Sequence, residues 1–404
     1  MSDMTGKGGV ANLIGGLVAL AVIIGLNWVI WWVGFAPNGV MKLYTPMYGF
    51  SILVVYLFSI IFFVDIADFW PFTMDEFSWG KGIGLLIATL VLTWVMIYGV
   101  FWNLIGRFGI TYFSPNAILE GGVKDLGLFS ARENASTAIV YFFAVIIWVA
   151  IWWKAGFGSS PWQNISKGAA TFSRFFAISF FGIIIYAIFF HPHVCYLFYP
   201  AQNMAGVAPW WAEVAQTGSA FYNLGWIICS LFILILTEVT FDGWPWKLLK
   251  KDGQGNLGSA LTALIVSVVL GFLVFYLFES VMNYFWEEPF LGGNYLDAPF
   301  FRHIHAAEVA MFFILGVYIL NVFFNNFPRQ FNGLVNLVVR LVIVVVIGLV
   351  LRWFYYSEPL GSTFLDRVPG IGQPDDTPLC WSILLLCMIM VYDNCFNRFP
   401  LKKG

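Results

Sequence analysis

Runs of about 20 apolar residues recur along the whole chain, and they constrain its fold more than any other feature. One of them reads SALTALIVSVVLGFLVFYLF from Ser259 to Phe278. An α-helix rises about 1.5 Å per residue, so such a run spans the roughly 30 Å hydrocarbon core of a bilayer. Within hydrocarbon every backbone N–H and C=O must find a partner inside the segment, which selects helix. Ten runs are read, at about 10–35, 46–70, 82–106, 136–155, 172–191, 217–241, 258–284, 303–326, 334–355 and 376–397. The expected fold is all-α: a polytopic integral membrane protein of about ten transmembrane helices, whose first partner is the lipid bilayer. Only 10% of residues are charged, against about a quarter in a soluble domain. The net charge of −2 offers no basic surface, so no nucleic acid is expected.

The first run is too long for the apolar core of a cleaved signal peptide and is read as a retained helix. The segment between about 107 and 135 is read as a folded surface loop. The five cysteines form no CxxC pair, and buried cysteine of this kind is mostly a small hydrophobe. Tryptophans gather at span ends, as in WVIWWVGF, where an aromatic belt is expected.

Let side A be the side on which the N-terminus lies. Twelve Lys or Arg flank side A, among them Lys154, Lys167, Lys247 and Lys250, against seven on side B. The positive-inside rule then makes side A the cytoplasm, with both termini there, and suggests the inner membrane of a cell.

A repeat emerges at the side A ends of the even-numbered spans, which close on DIADFWPF, EVTFDGWPW, NVFFNNFPR and DNCFNRFPL. GFGSSPW after the fourth span is a degenerate fifth copy. The prolines are Pro71, Pro161, Pro245, Pro328 and Pro400. The chain therefore divides into five tandem two-helix hairpins within one membrane domain, at about 10–71, 82–161, 172–245, 258–328 and 334–400. Proline stops each helix, and Asn or Asp just before it suits the helix end. All copies share one orientation, unlike the inverted repeats of many transporters.

The chain has only four histidines, and they form two His-x-His pairs. His191 and His193 close the fifth span; His303 and His305 open the eighth. Both pairs fall on side B at similar depth. Residues two apart on a helix point about 200° from each other, so both rings of a pair cannot face one ion unless the backbone bends. Pro192 disfavours the helical state for His191 and allows such a bend. His305 and Glu308, three apart, are expected to share a face, and His303 to sit at the membrane surface. Glu279, in the seventh span, also lies toward side B. Imidazole with carboxylate suits copper, iron or zinc, and two facing imidazoles suit haem. A candidate metal site is thus His191, His193, His303, His305, Glu308 and Glu279. Proton handling is the other use of such groups.

Ionisable groups inside apolar spans are site candidates by default. Asp65, Glu238 and Asp393 lie about a turn and a half from side A, and Arg340 is their expected partner. Together they form a candidate proton or ion path toward side B. No P-loop, dinucleotide-binding glycine pattern, HExxH or CxxCH is present. Three functions are compatible with these features. The first, favoured by the concentration of histidine, is a metal or haem site near the outer face. It would bind copper, iron or haem and serve electron transfer or oxidation of a small substrate, with other membrane or electron-transfer subunits as partners. The second is a proton- or cation-coupled transporter or channel. The third is a non-catalytic subunit of a larger membrane complex.

Overall fold

The computed structural model describes residues 7–35, 39–43, 47–72, 78–121, 127–190, 219–250, 254–285, 298–328, 331, 333–356 and 378–401. The architecture is all-α. The helices are α1 (Lys7–Ile30), α2 (Tyr48–Ile61), α3 (Trp79–Trp94), α4 (Gly127–Gly156), α5 (Lys167–Phe189), α6 (Ser219–Ile235), α7 (Leu257–Phe285), α8 (Ala298–Phe324), α9 (Gly333–Tyr356) and α10 (Pro378–Asn394). π-Helical segments extend four of them: Trp31–Phe35 after α1, Phe62–Ile66 after α2, Val95–Ile105 after α3 and Leu236–Thr240 after α6. Among the described residues nine helices are long and apolar enough to cross a membrane, and α10 is apolar but has only 17 residues. The chain is a multi-pass membrane protein.

Two boundaries differ from expectation. α4 begins at Gly127, nine residues before the expected 136; its first turn is exposed, but from Ala131 onward it is packed in the core. Glu133 there accepts a hydrogen bond from the Met47 N–H at 2.8 Å and so holds the start of α2. Among its described residues the expected surface loop holds a short 3-10 turn, Thr111–Phe113, and a helix, Pro115–Glu120, at whose start the Ser114 hydroxyl oxygen accepts from the Ala117 N–H at 3.4 Å.

Burial divides the helices into two sets. In the membrane-spanning windows of α1, α3, α5, α7 and α9, 22% of residues are buried, whereas in α2, α4, α6 and α8 the share is 67–89%. α10 is buried along nearly all its length. The even-numbered helices touch one another in the order α2, α4, α6, α8, α10 and back to α2, which closes an inner ring. Each odd-numbered helix lies outside, over a groove between two inner ones. α5 reaches α2 through Thr171, whose hydroxyl donates to the Ala67 carbonyl at 3.4 Å, and packs along α4. α7 accepts a hydrogen bond from Trp152 of α4 at the Ala260 carbonyl, 2.8 Å, and lies along α6. α9 crosses α8 and donates from Arg340 to Thr240 after α6. α1 covers α8 and α10, and α3 covers α2 while Trp79 stacks near Phe396 and Phe399 beyond α10. The sequence repeat is therefore also a spatial one.

Close approach between helices rests on small residues, as expected where lipid supplies no hydrophobic drive for association. A Cβ added at Gly316 of α8 would lie 2.4 Å from the Val344 carbonyl oxygen of α9, so the two backbones nearly touch. The lipid-facing surfaces of the outer helices carry exposed Leu, Val, Ile, Phe and Trp, for example Phe176 and Trp353.

The five proline steps share one geometry. Each proline follows a cis peptide bond: Trp70–Pro71, Ser160–Pro161, Trp244–Pro245, Phe327–Pro328 and Phe399–Pro400. The third residue before each proline has positive φ: Asp68, Gly158, Asp242, Asn325 and Asn397. This left-handed conformation favours Gly, Asn and Asp over other residues, which explains the Asn/Asp pattern in the sequence. In four copies the next N–H, of Phe69, Gly243, Asn326 or Arg398, reaches back six residues, to Phe63, Thr237, Leu320 or Tyr392. Carbonyls orphaned at the helix end are thereby satisfied.

Candidate functional site

The inner ring and its outer helices carry two polar levels, one near each side. At side B, α8 presents His303 and His305 on opposing faces. His303 turns toward α6 and α7. Its Nδ1 contacts the Glu279 carboxylate of α7, and its ring packs against Tyr222 and Phe275 at 5.3 and 5.7 Å. Its side chain is half-buried against these neighbours, at the first residue of the membrane-spanning stretch of α8. His305 turns the other way. Its Nδ1 lies 2.6 Å from Glu308 Oε2, and the two side chains are only 6% and 4% exposed. The i, i+3 spacing places both on one stripe, as the sequence suggested. Phe312 continues that stripe and packs on Tyr355 of α9 and Trp381 of α10.

This geometry separates the expected metal shell into two His–carboxylate pairs, His303 with Glu279 and His305 with Glu308, on different faces of one helix. Among the described residues no group of three or more His, Cys, Asp or Glu is placed to hold a metal ion. His191 and His193 lie outside the described residues. The chain leading to them ends at Phe190, buried against Tyr141. Asn223 of α6 donates to the Phe189 carbonyl at 3.0 Å. Gly225, half a turn further, lets α6 approach α8, since a Cβ there would lie 2.8 Å from the His303 carbonyl oxygen. The end of α5 and the start of α8 thus adjoin the same turns of α6.

At side A the carboxylates have other partners than Arg340. Asp65 pairs with Lys154 at 2.6 Å, and Asp393 with Arg398. Arg340 is itself bound to the Thr240 carbonyl at 2.8 Å, the Pro328 carbonyl at 3.1 Å and Asp242 at 3.4 Å. Its 4% exposed side chain ties the outer helix α9 to the side A ends of two neighbouring inner helices, α6 and α8. The expectation of a shared arginine partner fails because depth along a span says nothing about the direction in which a side chain points. Glu238 Oε2 is buried and has no hydrogen-bond partner among the described residues.

Lys154 and Arg398 escaped the sequence reading, yet both were locatable. Lys154 stands seven residues before Pro161, the position of Glu238, Asn321 and Asp393 in the other copies. It is the cationic member of a repeat-related polar set at the side A end of the inner helices. Arg398 donates to the Asn321 carbonyl, to Asn321 Oδ1 and to Asn325 Oδ1 at 3.0–3.2 Å, which joins the turn after α10 to the end of α8.

Between the two levels α8 contributes Met311, Phe312, Ile314 and Leu315, all buried. Glu308 and Asn321 are 13 residues apart, roughly 20 Å along a helix. The acids at side A and the pairs at side B are separate sites joined by an apolar girdle. The arrangement can hold protons at side B and fixed charge at side A. None of the family models, curated proteins or solved structures compared with this chain matches it.

Proposed function

We propose that the chain is a proton-coupled membrane transporter whose proton-binding centre is the His305–Glu308 pair. The observation that carries this reading is the placement of that pair. An imidazole and a carboxyl lie 2.6 Å apart in the protein interior, on an inner helix, about two to three turns from its side B end. Ionisable groups at bilayer depth are costly and face protein or water where they serve a pathway. Imidazole as a side-chain type can take up and release a proton in the physiological pH range, which suits it to such a role. Glu279 and His303 supply a second proton-holding pair on the opposite face of α8. The girdle around Phe312 keeps the two polar levels apart in this conformation, as a carrier requires in its closed state. The reading places the chain in the inner membrane with side A in the cytoplasm.

The proton-coupled reading is preferred to a metal or haem centre because the two histidines of α8 serve separate carboxylates. A joint metal shell would need both rings on one side. The test is pH-difference infrared spectroscopy on purified protein. A carboxyl signal that appears on acidification and vanishes in Glu308→Gln supports the reading. Spectra identical in wild type and Glu308→Gln would refute it. Copper, iron or haem bound one per chain, and lost on His305→Ala, would restore the metal centre instead.

A further inference from the structure

A cavity of about 540 Å³ opens at side A between the ends of α2 and α4 and the start of α5. Its charged lining comprises Asp65, Asp68, Lys154, Lys167 and Arg174. Two of the cations are committed: Lys154 to Asp65 at 2.6 Å, and Lys167 to Asp68 at 3.5 Å. Arg174 makes no ion pair among the described residues. Its Nε donates only weakly, to the Ala170 carbonyl of its own helix at 3.4 Å. The residue is 8% exposed. Three cations face two carboxylates in the lining, and Asp68, the carboxylate that acts on Arg174, is itself more than half exposed and shared with Lys167.

A buried arginine whose donor fork has no carboxylate oxygen within ion-pair distance among the described residues, although Asp68 lines the same cavity, is an incomplete arrangement. The charge has lost most of its water, and the planar fork of donors still matches two oxygens of an anion. A phosphate group satisfies that fork bidentately. Lys167, at the cavity mouth and more than half exposed, adds a second cation near the approaching charge. Trp153 and Trp162, stacked 5.4 Å apart, form an apolar wall beside it. Basic pockets between membrane helices at the cytoplasmic level recognise anionic lipid headgroups in this way, and the expected orientation puts side A there.

We propose that this cavity is a binding site for a phosphate-bearing anion, with Arg174 as its anchor. The phosphate can be that of an anionic phospholipid or free inorganic phosphate, and the experiment separates the two. Full-length protein in micelles is equilibrated with phosphatidylglycerol, phosphatidylcholine or inorganic phosphate, and bound ligand per chain is read by native mass spectrometry. Wild type is expected to retain phosphatidylglycerol about fivefold better than phosphatidylcholine, the gain expected from one basic group near a membrane surface. Arg174→Gln should abolish the preference, and Arg174→Lys, which keeps the charge without the two-pronged fork, should lower it partway. Lys167→Gln, an exposed change with little risk to folding, should reduce it partway. Displacement of phosphatidylglycerol by inorganic phosphate at millimolar levels identifies the free ion as the ligand; no displacement identifies the lipid. Equal retention of both lipids by wild type with no phosphate bound overturns the proposal. So does a preference that survives both Arg174→Gln and Lys167→Gln.

Discussion

Gly316→Ala tests the close crossing of α8 and α9. The new Cβ would sit 2.4 Å from the Val344 carbonyl oxygen and 3.3 Å from its carbonyl carbon. Ordinary contact begins near 3.4 Å, so the two backbones must part by about 1 Å, and a main-chain oxygen cannot swing aside as a side chain can. Overpacking of this kind costs about 1–3 kcal/mol. Alanine also gains about 1 kcal/mol over glycine in helix propensity, which partly masks the loss. Gly25 of α1 supplies the control, because a Cβ there meets nothing within 4 Å. The propensity gain is common to both variants, so the stability difference between Gly316→Ala and Gly25→Ala isolates the packing term at about 1–3 kcal/mol. Reversible unfolding in mixed micelles, followed by tryptophan fluorescence, measures it. Equal stability of the two variants would refute the close α8–α9 crossing and, with it, the placement of the His305 stripe against α9.

Further expectations concern the polar levels and the ring. Glu308→Ala removes one member of a buried pair and should cost about 3–5 kcal/mol, while isosteric Glu308→Gln costs much less; the same unfolding assay compares them. Arg340→Met leaves the Thr240 and Pro328 carbonyls without this donor and should destabilise by about 2–6 kcal/mol, at about 1–3 for each buried group left unsatisfied. The Lys154–Asp65 pair includes a lysine side chain that is 44% exposed, so a double-mutant cycle should give a coupling of about 1 kcal/mol or less, smaller in high salt. Brominated lipids should quench Trp94 and Trp353 on the outer helices and spare Trp148 and Trp381 on the inner ones, in single-tryptophan variants; the opposite pattern would invert the ring.

Much of the fold was legible because hydrocarbon solvent imposes it. Span length, apolar content and the aromatic-Pro stops each follow from backbone hydrogen bonding or from proline chemistry. The Asn/Asp position before those prolines was visible too, and the structure gives its reason as left-handed backbone at Asp68, Asp242, Asn325 and Asn397. The inner and outer rings were not legible. Leu, Val and Phe suit lipid and protein core equally, so hydropathy does not separate Phe176, which faces outward, from Phe312, which is buried. The site was legible in part. His305 and Glu308 follow from helix geometry alone. Glu279 and His303 were placed in one candidate set on side B, but their direct contact was not foreseen, since it crosses between helices. Arg340 was singled out correctly as buried and given the wrong partners for the same reason.

Proton flux bears most directly on the proposed function. Proteoliposomes loaded with a pH-sensitive dye and held at an imposed potassium diffusion potential report it, with candidate small substrates added in turn. Wild type should show substrate-dependent acidification or alkalinisation, lost in Glu308→Gln protein that remains folded. Flux that is unchanged in Glu308→Gln would rule out the His305–Glu308 pair as the proton-binding centre.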